Sequence, residues 1–404
     1  MLHPFRAWRF DEAVAGPIAD LVSQPYDKIS PAALSDYRAR SPHNIVYAIR
    51  GESAPGDSAW HEAAAAIVEG WKNDGEWARD EVPSYYIYEQ AFSDPDGGRH
   101  VRRGITGAFD LTDREDVLHH ERTHAGPRED RRRLIDATGL HFGQIFVLRT
   151  GGTAIDLSAF KGDGQSVSVE DDEGTRHTYT PISDPKSVSQ LAAALSDSKY
   201  VIADGHHRFT VAASHADDHG GASVMVTAVD IDDSGLLVLP THRVLRDLPA
   251  SRSNGLGPLF QQAGAKEMPR TDDPSAFLKA VREGGIGTVG VVSGGGFFIL
   301  DTGDRVEGAP AVQSLDAERI QSSIISPLLQ GLDAEDHLSY RRSGEAAVRD
   351  VFEDGADVAF ILNGIPPRTV SEVAEQGDVM PQKSTDFYPK LLTGFAVLDA
   401  LSPS

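Results

Sequence analysis

Val201-Ile202-Ala203-Asp204-Gly205-His206-His207-Arg208 is an apolar run that ends abruptly in an acid, a glycine, two histidines and an arginine. Apolar residues then return at helical spacing with Phe209, Val211 and Ala212. The pattern predicts a buried strand, a tight turn and the start of a helix. The first N–H groups of a helix lack intrahelical partners and carry partial positive charge, which suits a phosphate. Asp204 stands where an N-cap would, Gly205 lets backbone approach closely, and His206, His207 and Arg208 add donors and a fixed cation. The chemistry this set suits is the holding of phosphoryl oxygens.

Other segments carry candidate chemistry. His242-Arg243 follows a strand and Pro240, and could meet the first cluster on one anionic ligand. Lys383 lies in the polar, aromatic stretch Met380 to Lys390, a candidate to close over a site, as is Asn363 at a strand end. His120-Glu121-Arg122-Thr123-His124 matches the zinc protease pattern, which needs both histidines one turn apart on a helix. Gly126 and Pro127 follow at once and argue against that helix, leaving Glu121 as a carboxylate beside histidines. The common phosphate loop, a dinucleotide glycine fingerprint and a serine nucleophile elbow are all missing from the sequence.

Regular structure has to hold these residues in place. Strands are expected at Ile45 to Ile49, Ile145 to Leu148 and Val224 to Ile231. Tyr85 to Phe92 and Val101 to Leu111 flank Asp94-Pro95-Asp96-Gly97-Gly98, a hairpin signal. Helices are expected at Arg128 to Thr138 and Ser187 to Leu195, with a helical face made by Trp60, Ala64, Ile67, Val68 and Trp71. Beyond about residue 250 helices alternate with strands near 286–292, 297–300 and 356–362. The mixture predicts an α+β (mixed α/β) fold. The expected division is an N-terminal catalytic portion, 1–249, and a C-terminal α/β portion, 250–404, closing over the site.

Composition narrows the function. The chain has 404 residues, enough for two or three domains, and no cysteine, which removes disulfides, thiolate zinc sites and cysteine nucleophiles. Acids outnumber bases 61 to 38, a formal charge of −23, which opposes nucleic-acid binding. Apolar runs are too short to span a bilayer, and the first residues lack the apolar core of a signal peptide. A cytoplasmic location and no membrane partner are expected.

Seven segments in order resemble the family known as domain of unknown function 1015. They are Pro4-Phe5-Arg6-Ala7, Gln24-Pro25-Tyr26-Asp27, Ser41 to Val46, His120 to Thr123, Ala203 to Arg208, Leu239 to Arg243 and Met380 to Thr385. A narrower resemblance joins His120-Glu121 and Asp204-Gly205-His206-His207-Arg208 to the paired motifs of free serine kinases. Those enzymes belong to the ParB/sulfiredoxin-like superfamily and phosphorylate free L-serine with a nucleotide and magnesium. The resemblance implies a ParB/sulfiredoxin-like core with elaborations. It implies Glu121 as catalytic base and Asp204 as a second acid at the substrate or at Mg2+. Gly205, His206, His207 and Arg208 would hold the phosphates of ATP or ADP, with His242, Arg243 and Lys383 as further candidates. The acceptor would be free serine or another small alcohol. Two other classes remain open: a ParB-like nucleotide-dependent switch or DNA-binding protein, and a metal-dependent hydrolase.

Overall fold

Tyr85–Ser93 (β2) and Arg99–Asp110 (β3) pair antiparallel from Tyr86 opposite Thr106 to Ser93 opposite Arg99. Asp94 closes the hairpin, accepting from the Gly98 amide at 2.7 Å while Gly97 takes a positive φ. The computed structural model describes residues 1–51, 59–95, 97–121, 125–162, 166–219, 223–269, 273–303 and 308–400. The chain folds as two compact units, Met1–Leu236 with Pro389–Ser404, and Leu237–Tyr388. The first break thus falls at 236/237 where 249/250 was expected, and the last residues return to the first unit. Backbone bonds explain the return: Leu398–Asp399 pairs with Leu140–His141, and Ser23 and Thr393 form an antiparallel bridge.

The first unit is built on a nine-stranded mixed sheet. Its other strands are Leu2–His3 (β1), Val117–Leu118 (β4), Ile145–Thr150 (β5), Val167–Glu170 (β6), Arg176–Ile182 (β7), Lys199–Asp204 (β8) and Ser223–Asp230 (β9). The order is β4-β8-β5-β9-β3-β2-β7-β6, with β1 on β3. Two neighbours run parallel, β8 with β4 and β9 with β5; the rest are antiparallel. The main helices are Ala59–Asp74 (α1), Ala125–Thr138 (α2), Pro185–Leu195 (α3) and His206–His219 (α4).

Ile105, Phe109, Ile145, Val147, Ile202 and Val226 form one core with Leu191 and Leu195 of α3 and Phe209 and Ala212 of α4. Full burial of each such side chain contributes roughly 1.5–3 kcal/mol. A second core joins Ala64, Val68 and Trp71 of α1 to Leu134 of α2, Trp77 and Phe142. The expected strand at Ile45 to Ile49 is instead a helical turn, Val46–Ile49. Asn44 decides it: its Oδ1 accepts from the Val46 amide at 3.0 Å and its Nδ2 donates to Asp20 O at 2.7 Å.

The second unit carries a six-stranded antiparallel sheet. Its strands are His242–Leu245 (β10), Lys266–Met268 (β11), Thr288–Ser293 (β12), Gly296–Asp301 (β13), Leu338–Arg341 (β14) and Val358–Ile361 (β15), ordered β11-β13-β12-β15-β10-β14. Alternate strand residues feed two cores, Leu245, Val291 and Phe360 on one and Val244, Val292 and Ala359 on the other. The second core is covered by Ser275–Gly284 (α5) and Gly344–Phe352 (α6). The fold is therefore mixed α/β, as the alternation of hairpins and helices predicts. No helix among the described residues is long and apolar enough to cross a membrane.

Candidate active site at the start of α4

Strand β8 runs into α4 through Gly205, whose φ is +100°. A Cβ there would come within 3.1–3.2 Å of the Arg208 guanidinium, so glycine serves both conformation and space. Register between β8 and β5 shifts between Ile202 and Asp204, a bulge at Ala203 that re-aims the strand end.

Asp204 does not cap the helix. Its Oδ2 accepts from Arg208 Nη2 at 2.8 Å and its Oδ1 from Lys390 Nζ at 3.1 Å. Arg208 also donates from Nη1 to Gln144 O at 2.7 Å. Burial would raise the Asp204 carboxyl, but the Lys390 and Arg208 charges, with Lys28 adding to them, hold it well below the ordinary carboxylate range. Sequence patterning does not single out Lys390. Lys383 belongs to the other unit, is exposed and has a φ of +56°.

Parallel pairing brings Glu121 to the same place. Val117 and Leu118 of β4 lie opposite Tyr200 and Val201 of β8, so the chain that follows β4 runs toward the end of β8. His120 hydrogen-bonds the Ile202 backbone, consistent with that run. The Glu121 Oε2 lies 3.9 Å from His206 Nδ1. The His120 and His206 rings meet edge to face at 4.6 Å. Burial pushes His120 down to about 4; it pushes His206 well below its usual value, helped by the neighbouring His120 and His119. Both are neutral imidazoles at neutral pH. His206 Nε2 makes no hydrogen bond among the described residues. His207, next on the helix, is half-buried. Thus Glu121, Asp204, Gly205, His206 and Arg208 stand together around one turn.

Behind Arg208 lies a small, largely apolar cavity lined by Tyr26, Arg131, Gly143, Val211 and Thr393 among others. The Arg131 guanidinium sits 4.1 Å from the centre of the Tyr26 ring.

The second cluster lies in the second unit. His242 opens β10 and is buried; its Nδ1 accepts from the Leu362 amide at 3.1 Å, and burial lowers it to about 4. It carries no charge at neutral pH. Arg243 is 1% exposed, donates to Thr241 O at 3.1 Å and faces the Tyr340 ring; burial lowers it to about 10. Asn363 donates to Val281 O, Gly285 O and Thr288 O, tying the end of α5 to the start of β12. Of the zinc protease pattern, His120 and Glu121 precede α2, and His124 lies outside the described residues.

In class this is a two-unit mixed α/β protein whose first unit gathers carboxylates, imidazoles and cations at a strand–turn–helix junction. It belongs to the DUF1015 family: the family described as "Protein of unknown function (DUF1015)" matches residues 2–318. No curated protein matches the sequence. Among solved structures, a variant of free serine kinase in complex with ADP is 15% identical, covering 73% of this chain and 91% of that chain with a TM-score of 0.39. Free serine kinase in complex with AMP is 16% identical over the same shares, with a TM-score of 0.37. SbnI from Staphylococcus aureus, truncated at its C-terminus, is 12% identical, covering 71% and 85%, with a TM-score of 0.37.

Proposed function

We propose that the first unit is a small-molecule kinase that transfers a phosphoryl group from ATP or ADP to a hydroxyl, with free L-serine the first candidate acceptor. The observation that carries this reading is the Glu121 carboxylate, 3.9 Å from His206 on the turn where Arg208 and Lys390 converge on Asp204. Phosphoryl transfer asks mainly for positioned substrates and neutralised charge. Arg208, the α4 N-terminus and its histidines supply donors for phosphate oxygens.

Glu121 is the general base in this reading. As the acceptor oxygen forms its bond to phosphorus, its proton passes to the Glu121 carboxylate. The bond from phosphorus to the nucleotide oxygen breaks, and the electron pair leaves with the nucleotide. Asp204 is a positioning residue that holds Arg208 and Lys390 in place. As a magnesium ligand it fits poorly, because both its oxygens already accept from cations and a divalent ion would displace one of them. No step is therefore assigned to a metal on Asp204.

A screen of ATP and ADP turnover against free amino acids and small alcohols, with magnesium salts present, tests the reading. Turnover that rises with L-serine supports it. Turnover indifferent to every alcohol removes it.

A further inference from the structure

Helices α2 and α4 pack against one another, and at the far end of α4 from the turn they bring together Asp136, His215 and His219. Each offers one ligand atom, and these atoms all lie within 4.8 Å of one another. We propose that Asp136, His215 and His219 form a binding site for a transition-metal ion, with zinc the ion its donors suit best.

The local sequence makes the site. His215 and His219 are four apart and so share one face of α4. Their rings stack at 4.2 Å between centroids, and His219 Nδ1 lies 3.0 Å from His215 O, which leaves Nε2 as its metal-facing nitrogen. Asp136 reaches across from the last turn of α2, its Oδ1 3.0 Å from His215 Nδ1. Arg132 Nε donates to both Asp136 oxygens at 2.8 and 3.1 Å, while its Nη2 holds Asp218 at 2.7 Å and its Nη1 holds Ser214 Oγ at 3.2 Å. A single Arg132 N–H spans both carboxylate oxygens, so a metal on one oxygen would leave Arg132 its bond to the other, unlike Asp204, whose two oxygens are held by two different cations.

His215 presents Nδ1 to Asp136 and keeps its other nitrogen in the interior. His215 is only 3% exposed, yet its Nε2 makes no hydrogen bond among the described residues. His141 is likewise buried with an unpartnered Nε2.

Two imidazoles and one carboxylate suit zinc, cobalt or nickel, whereas magnesium and calcium favour oxygen donors. Three protein ligands leave a fourth position for water. The nine-residue step from His206 to His215 spans about 13 Å of helix, so the ion would not touch a phosphate held at the turn. It would instead clamp α2 to the helix whose first turn carries the candidate active site. The metal site does not depend on the kinase reading.

Cobalt is the probe. The full chain, stripped with chelator, is titrated with Co2+ while visible d–d absorption is followed, and Zn2+ is then added in competition. One Co2+ per chain with d–d bands that Zn2+ abolishes is expected. Exposed His219→Ala should weaken Co2+ binding by about tenfold or more, and Asp136→Asn likewise, while the remote His100→Ala leaves it unchanged. Zn2+ should also raise the melting temperature of wild type but not of His219→Ala. Equal Co2+ affinity in wild type and His219→Ala, or no d–d bands at millimolar Co2+, overturns the proposal.

Discussion

Lys390 Nζ lies 3.1 Å from Asp204 Oδ1, although 186 positions separate the two residues in the chain. The pair fastens the returning C-terminal segment to the turn between β8 and α4. Both side chains are largely buried, 9% exposed for Lys390 and 23% for Asp204. Lys390→Met should therefore leave a half-satisfied carboxylate and lower stability by about 1–3 kcal/mol, less than a wholly buried pair because Asp204 keeps some solvent. Urea denaturation of the two proteins at neutral pH measures it.

Acid should expose the same contact. The Asp204 carboxyl is held below its ordinary value in the folded chain. Its contribution is present in full above the ordinary carboxylate range near pH 4 and is lost as pH falls through the folded value. Asp204→Asn should remove that part of the acid dependence, so its stability curve should be flatter than wild type below about pH 4. Parallel curves for the two proteins would contradict the assignment.

The buried histidines give a different window. His120 is lowered to about 4 and His206 is lowered well below 6.5, so between those limits the unfolded chain binds more protons than the folded one. Their contribution is complete above pH 6.5 and declines as pH falls toward about 4, each group adding a slope of up to about 1.4 kcal/mol per pH unit. Wild type should lose stability across this range, and His120→Gln should lose less. Thermal melts at stepped pH report the slopes.

Gly205→Ala tests the turn itself. Its φ of +100° is costly for alanine, and the added Cβ would press on the Arg208 guanidinium. A loss of about 1–3 kcal/mol is expected, with weaker nucleotide binding because Arg208 is displaced. Calorimetric titration with ATP and ADP, beside a denaturation curve, separates the two effects. Arg208→Ala should keep most of the fold and lose the binding.

Much of this site is legible in the residues. The strand, turn and helix around Asp204 follow from an apolar run, a glycine and helical spacing, and the hairpin at Asp94 from its turn residues. Other features are not. Val46–Ile49 is a short apolar run that fits strand and helix alike, and only the two-sided bonding of Asn44 selects the helix. The polar residues around Lys383 point to it as the distant cation of the site. The residue that reaches the Asp204 carboxylate is instead Lys390, just before Leu391 and Leu392, which are buried in the first unit. That apolar pair after Pro389 is the available signal that the chain re-enters a core there. The parallel pairing of Val117–Leu118 with β8 is hidden because a two-residue strand carries no periodicity. It is nevertheless what sets Glu121 beside the turn.

Everything in the kinase reading turns on Glu121 taking a proton from an alcohol during phosphoryl transfer. Wild type and Glu121→Gln should therefore be compared by phosphorus NMR of O-phosphoserine in the presence of ATP or ADP, magnesium and L-serine, with nucleotide affinity measured alongside. Phosphoserine is expected from wild type, at least about a hundredfold less from Glu121→Gln, and similar nucleotide affinity in both. Equal phosphoserine formation by the two proteins would show that Glu121 is not the base, and none by a wild type that binds nucleotide would remove serine as the acceptor.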